Sequence, residues 1–266
     1  AGSNLFKLRI DKTSAREDGR AEADYTQDRA GNRIPLTRSN TVTASSDLDI
    51  NDYFILADGS FIAPAQITIA GDWYNYAGIG GFLEGTGTVT FDGAGHQYCQ
   101  TSEDFYNLII NKTGGALRLD ETSTTVNCVN YTWVAGAVDV LLGTFSVGDL
   151  TQDGIYGNWY VNPNGVINIH QDAAQYPDLN GYLYNYGGTI NIYGGSSDVY
   201  AAYSANAGIT MTGGVIDLKN KGIFIQSTAY TWTPSITGGT LRSIGSLTIT
   251  RAGNQFSGGT VELYGS

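Results

Sequence analysis

The chain has 266 residues, a net charge of −11 and an isoelectric point near 4.4, with 14 Lys and Arg against 25 Asp and Glu. That balance argues against nucleic acid as a partner, because phosphate binding rests on clustered basic side chains. No apolar run approaches the ~20 residues of a membrane-crossing helix, and the 36 glycines are about twice ordinary usage.

The chain opens on a phrase that it repeats. Asn4-Leu5-Phe6-Lys7-Leu8-Arg9-Ile10-Asp11-Lys12-Thr13 returns as Asp104-Phe105-Tyr106-Asn107-Leu108-Ile109-Ile110-Asn111-Lys112-Thr113, an offset of 100 residues without a gap. Further on, Gly59-Ser60-Phe61 returns as Gly143-Thr144-Phe145 and Gly71-Asp72-Trp73 as Gly157-Asn158-Trp159, an offset of 84. Internal copies therefore span 1–93 and 94–266, the second extended, and the first carries sixteen extra residues within 14–38. This is the charge-dense part of the chain: residues 1–40 hold eight of the 14 basic side chains. A mixed-charge run such as Arg16-Glu17-Asp18-Gly19-Arg20 reads as a solvated loop insertion.

Next comes the sharpest local motif, Asp47 to Asp58. Asp47, Asp49, Asn51 and Asp58 fall at positions 1, 3, 5 and 12 of a twelve-residue calcium loop. Position 6 lacks its glycine (Asp52) and position 12 is Asp instead of Glu. The competing reading is an outward acidic face on a strand containing Leu48 and Ile50.

From Gly87 the chain settles into a strand phrase: Gly, a small or β-branched residue, then alternating apolar and polar positions. It recurs at Gly165, Gly188, Gly214, Gly239 and Gly259, in steps of 23, 26, 25 and 20 residues. Alternation with period two predicts strands with one buried face, which places Ile190 and Ile192 inward. The fold expected is all-β: a right-handed parallel β-helix, with coils of roughly 20–26 residues, over 1–266 as one continuous solenoid. An antiparallel β-sandwich repeat array is the alternative. Abrupt ends at Ala1 and Ser266, in phase with the repeat, mark the chain as a slice of a longer array.

Two cysteines, Cys99 and Cys128, are separated by 29 residues, close to one coil. Adjacent coils lie ~4.8 Å apart, within the ~7 Å Cα limit of a disulfide, so the pair is either bridged or two buried free thiols. Tyr and Trp bunch between Tyr131 and Trp232. Trp159, Tyr160, Tyr182, Tyr184 and Tyr186 are the candidate binding face, since such rings stack on sugars or anchor protein interfaces. The alternative is that they ladder with one another or close the core. Acids are scattered; Asp172 and Asp178 form the best carboxylate pair and read as turn formers. No catalytic residues, and no cofactor other than calcium, are expected.

The succession Gly71-Asp72-Trp73, Gly85-Thr86-Gly87-Thr88-Val89-Thr90-Phe91-Asp92-Gly93, Phe105 to Lys112 and Gly143-Thr144-Phe145 resembles the giant repetitive surface proteins of Gram-negative bacteria exported by the gliding-associated (type IX) route. The resemblance weakens over 14–38 and 171–210. It implies an extracellular, surface-tethered β-helix and carries no catalytic residues. The expectation is a stalk or adhesin segment that meets cells, glycans, partner proteins or flanking segments of its own chain. A carbohydrate-active β-helix enzyme, a polysaccharide lyase or hydrolase, is the rival.

Overall fold

The structure, a computed structural model, describes residues 3–5, 8–10, 25–27, 33–35, 41–150, 155–171, 179–194, 199–201, 208–219, 223–225, 235–244, 247–249 and 255–264. Its elements are strands, with one 3-10 turn at Ile79–Gly81. Among the described residues every strand pairing but one is parallel, and the chain winds as a β-solenoid of about eight turns of about 22 residues each. The exception lies in the charged insertion, where Tyr25–Gln27 pairs antiparallel with Arg33–Pro35. The other residues of 14–38 lie outside the described set. The antiparallel sandwich alternative is set aside by these ladders.

One ladder begins at Ser3–Leu5 and runs through Leu48–Ile50, Gln66–Ile69 and Thr88–Phe91 into the long strand Glu103–Leu119. A second takes Leu8–Ile10, Phe54–Leu56 and Trp73–Asn75. The repeated phrase thus enters different ladders: Leu8 pairs with Phe54, whereas Leu108 pairs with Val89 and Tyr131. The shorter shared phrases are better matched. Gly59 and Gly143 both turn a corner at φ 81°, a left-handed angle that favours glycine, and Phe61 and Phe145 that follow are both buried.

Alternation along each strand sorts the side chains. Phe145, Ile167, Ile190, Ile216 and Leu241 are successive register partners and form one buried column. Burying each such side chain contributes about 1.5–3 kcal/mol. Aromatic rings widen the core: Phe54 stacks on Trp73 at 4.1 Å, and Tyr131 lies 4.9 Å from Trp159. Outward, polar columns tie coil to coil. Asn168 Nδ2 donates to Ser146 Oγ at 3.1 Å and Asn191 Nδ2 to Asn168 Oδ1 at 2.9 Å. Among the buried acidic and basic side chains of the described residues, Glu103 and Lys112 are the most enclosed. Glu103 accepts hydrogen bonds from Trp73 Nε1 and Asn75 Nδ2, both at 2.9 Å. Lys112 Nζ donates to the Gly93 carbonyl at 3.0 Å and to Gln97 Oε1.

Candidate functional site

The strand Ile155–Val161 reads Ile-Tyr-Gly-Asn-Trp-Tyr-Val, and its burial alternates residue by residue. Trp159 therefore points inward, is 0% exposed and donates from Nε1 to the Tyr156 carbonyl at 2.8 Å. It belongs to the core with Tyr131 and Phe145, and its expected place on the binding face is corrected. Tyr160, the next residue, points outward by the same alternation.

The strand Leu179–Gly194 carries Tyr182, Tyr184 and Tyr186 on its outer side, with Leu183 and Asn185 buried between them. Tyr184 is the register partner of Tyr160, and their rings lie 4.5 Å apart at 4°. That distance is close to the ~4.8 Å between adjacent strands, so both rings stand on edge, faces turned along the coil stack. Tyr182 and Tyr186 flank Tyr184 at 5.9 and 6.3 Å, their planes within 24° and 20° of it. Four near-parallel rings form one outward cluster, and Tyr186, at its end, is 42% exposed. Burial, then the neighbouring phenols, push Tyr184 above the ordinary tyrosine pKa; burial, Tyr186 and Asp139 do the same for Tyr160. Both phenols stay neutral, and they share a hydrogen bond with each other.

Beside this cluster the outer face sinks into a hollow of about 560 Å³, within the ~300–1,000 Å³ range of small-molecule sites. Its floor is a register column of small residues, Ala116, Ala137 and Asn158. One wall is the neighbouring column Arg118, Asp139 and Tyr160, and the other includes Trp133 and His96. The floor column continues into Tyr182, where a ring replaces the small side chain.

These walls are held in place. Arg118 Nε donates to Asp139 Oδ2 at 3.0 Å, and Asn162 Nδ2 donates to Asp139 Oδ1 at 3.0 Å. The Ala116 amide donates to His96 Nδ1 at 3.1 Å. Trp133 Nε1 donates to the Gly136 carbonyl at 3.0 Å, and its ring lies against Gly157. A Cβ on Gly157 would come within 2.5 Å of that ring, and φ there is 95°, so only glycine lets the indole lie flat on the backbone.

The remaining expected site residues are not brought together. Asp47 Oδ1 accepts from the Gln66 amide at 3.1 Å, and Asp58 Oδ1 accepts from the Gly59 amide at 2.8 Å. Asp49 sits in a strand, in register with Thr68. Asp47 thus ties to the strand of Gln66 on the next coil, Asp58 bonds the amide that follows it, and Asn51 follows the strand of Asp49. Among the described residues no group of three or more His, Cys, Asp or Glu side chains is placed to hold a metal ion.

Cys99 and Cys128 are free and buried. Cys99 bridges to Trp73 while Cys128 pairs with Phe105, so they occupy different ladders, which corrects the disulfide alternative. Burial pushes both thiols up. Asp172, Asp178, Tyr230 and Trp232 lie outside the described residues. The sequence reading missed His96, Arg118 and Asp139, whose one available signal was the small-residue run Ala135-Gly136-Ala137. Compared with known protein families, curated proteins and solved structures, the chain matches none.

Proposed function

We propose that this chain is a segment of an extracellular, surface-attached stalk or adhesin, without catalysis of its own, that touches cells, glycans or partner proteins through the outer tyrosine face. The observation that carries this reading is the ring cluster of Tyr160, Tyr182, Tyr184 and Tyr186, presented outward by a strand whose alternate residues already complete the core. Folding alone does not require four aromatic rings at partly solvated positions. The repeated phrases, similar to those of type IX-exported surface proteins, support the location.

Each stacking contact adds about 0.5–1.5 kcal/mol beyond the area buried. One face is then a weak binder, and many arrayed along a stalk bind by avidity. Replacing both Tyr184 and Tyr186 by Ala is expected to lower retention on glycan-coated or cell surfaces by about fivefold or more. The melting temperature should stay at the wild-type value, because neither ring fills the core. Unchanged retention, or early melting of the double variant, would refute the reading.

A further inference from the structure

The hollow beside the tyrosine cluster has a composition that selects its occupant. We propose that it binds the end of an uncharged pyranose glycan, one sugar lodged over the Ala116–Ala137 floor between Trp133 and Tyr160. This inference rests on the contact-face reading and narrows it to a ligand class and a place.

Three observations carry it. The first is shape: side chains on the floor column are reduced to methyl groups at Ala116 and Ala137, while the flanking column and Trp133 rise around them. The hollow is of a size for one sugar ring, with Trp133 flanking it on one side and the edge and phenol of Tyr160 on the other.

The second is charge. Arg118 and Asp139 are the charged pair on the wall, and each neutralises the other. An anionic polymer finds no uncompensated cation there, in a chain of net charge −11. The pair still offers hydrogen bonds. A guanidinium carries five N–H donors, and Arg118 uses Nε on Asp139 and Nη1 on Tyr98. Vicinal hydroxyls, each both donor and acceptor, match this set together with the neutral Tyr160 phenol and Asn158.

The third is the backbone. Strands on both sides of the hollow are paired, 116–119 with 137–140 and those with 158–161. Among these described strands no sheet edge at the hollow is open for an extended peptide to join, which removes the usual main-chain anchor of peptide recognition. The column ends at Tyr182, so the hollow stops where the tyrosine cluster starts, and a chain leaving it passes directly over those rings.

The test titrates the full chain by calorimetry with maltohexaose, cellohexaose and chitohexaose, and with a polygalacturonate hexamer as the charged comparison. At least one neutral hexaose should bind, and bound hexaose should protect Trp133 and Tyr160 of the wild-type chain from hydroxyl-radical oxidation. Ala137→Leu, which fills the hollow from its floor, should weaken binding at least tenfold at an unchanged melting temperature; Ala116→Leu is the second filling variant. The inference is overturned if no neutral hexaose binds, if only the charged hexamer binds, or if binding leaves Trp133 and Tyr160 unprotected. Full binding by well-folded filling variants also overturns it. Surface retention that depends on Tyr184 and Tyr186, without any hexaose binding, would sink the hollow and leave the contact face standing. Hexaose binding with retention indifferent to those tyrosines would do the reverse.

Discussion

Ile190→Asp is expected to unfold several coils at once. Ile190 is fully buried and stacked between Ile167 and Ile216 on the neighbouring coils. Losing the aliphatic side chain alone costs about 2–5 kcal/mol, and burying an unpaired carboxylate costs several kcal/mol more. A domain holds only about 5–15 kcal/mol in total. Because each coil is supported chiefly by its neighbours, the damage spreads along the stack. Thermal melting followed by circular dichroism should show a large loss of cooperative β signal, while Tyr186→Ala, an exposed ring on the same strand, should melt near the wild type. Wild-type-like melting of Ile190→Asp would overturn the inward assignment.

The second large effect is a pH dependence set by Glu103. Burial raises its pKa from the ordinary carboxylate value of 4.5 to about 8, against the lowering effect of hydrogen bonds from Trp73, Asn75 and the Asp104 amide. The folded state therefore holds a proton that the unfolded chain releases near pH 4.5. Stability from this group is complete below about pH 4.5 and is lost as pH climbs toward 8. At about 1.36 kcal/mol per pKa unit, the loss across that window is on the order of 3–5 kcal/mol. Lys112, whose pKa burial lowers to about 8, acts with the opposite sign and only above that pH. Glu103→Gln keeps the shape and removes the titration. Melting temperatures of the two proteins, measured from pH 4.5 to 8, should diverge with rising pH, the variant becoming the more stable. Parallel curves would show that Glu103 does not titrate in this window.

What the sequence disclosed, and what it hid, follows from where the information lies. The phrase Gly188-Thr189-Ile190-Asn191-Ile192 states its own alternation, and the buried and outward residues fall as that period requires. Corner glycines at 59 and 143 were marked by the recurring Gly-Ser/Thr-Phe. Trp159 was legible in principle, since it lies one residue from Tyr160 and period two forbids both from sharing a face; grouping aromatics by density discarded that parity. The cysteines depended on register. A separation of 29 residues looks like one coil, but the coils measure about 22, so Cys128 lands beside Phe105. The hollow was least visible. Its floor is Ala and Gly, which carry no chemistry, and its walls come from His96, Arg118, Asp139 and Tyr160 on successive coils, aligned only once coil lengths are known.

The account stands on a division of the aromatic residues into a buried set and an outward set. Hydroxyl-radical footprinting of the folded, ligand-free chain, read by mass spectrometry, measures that division directly. Tyr186 should oxidise readily, while Trp73, Trp159 and Tyr131 stay protected until the chain is denatured. Oxidation of Trp159 or Tyr131 at the rate of Tyr186, or protection of Tyr186 itself, would contradict it.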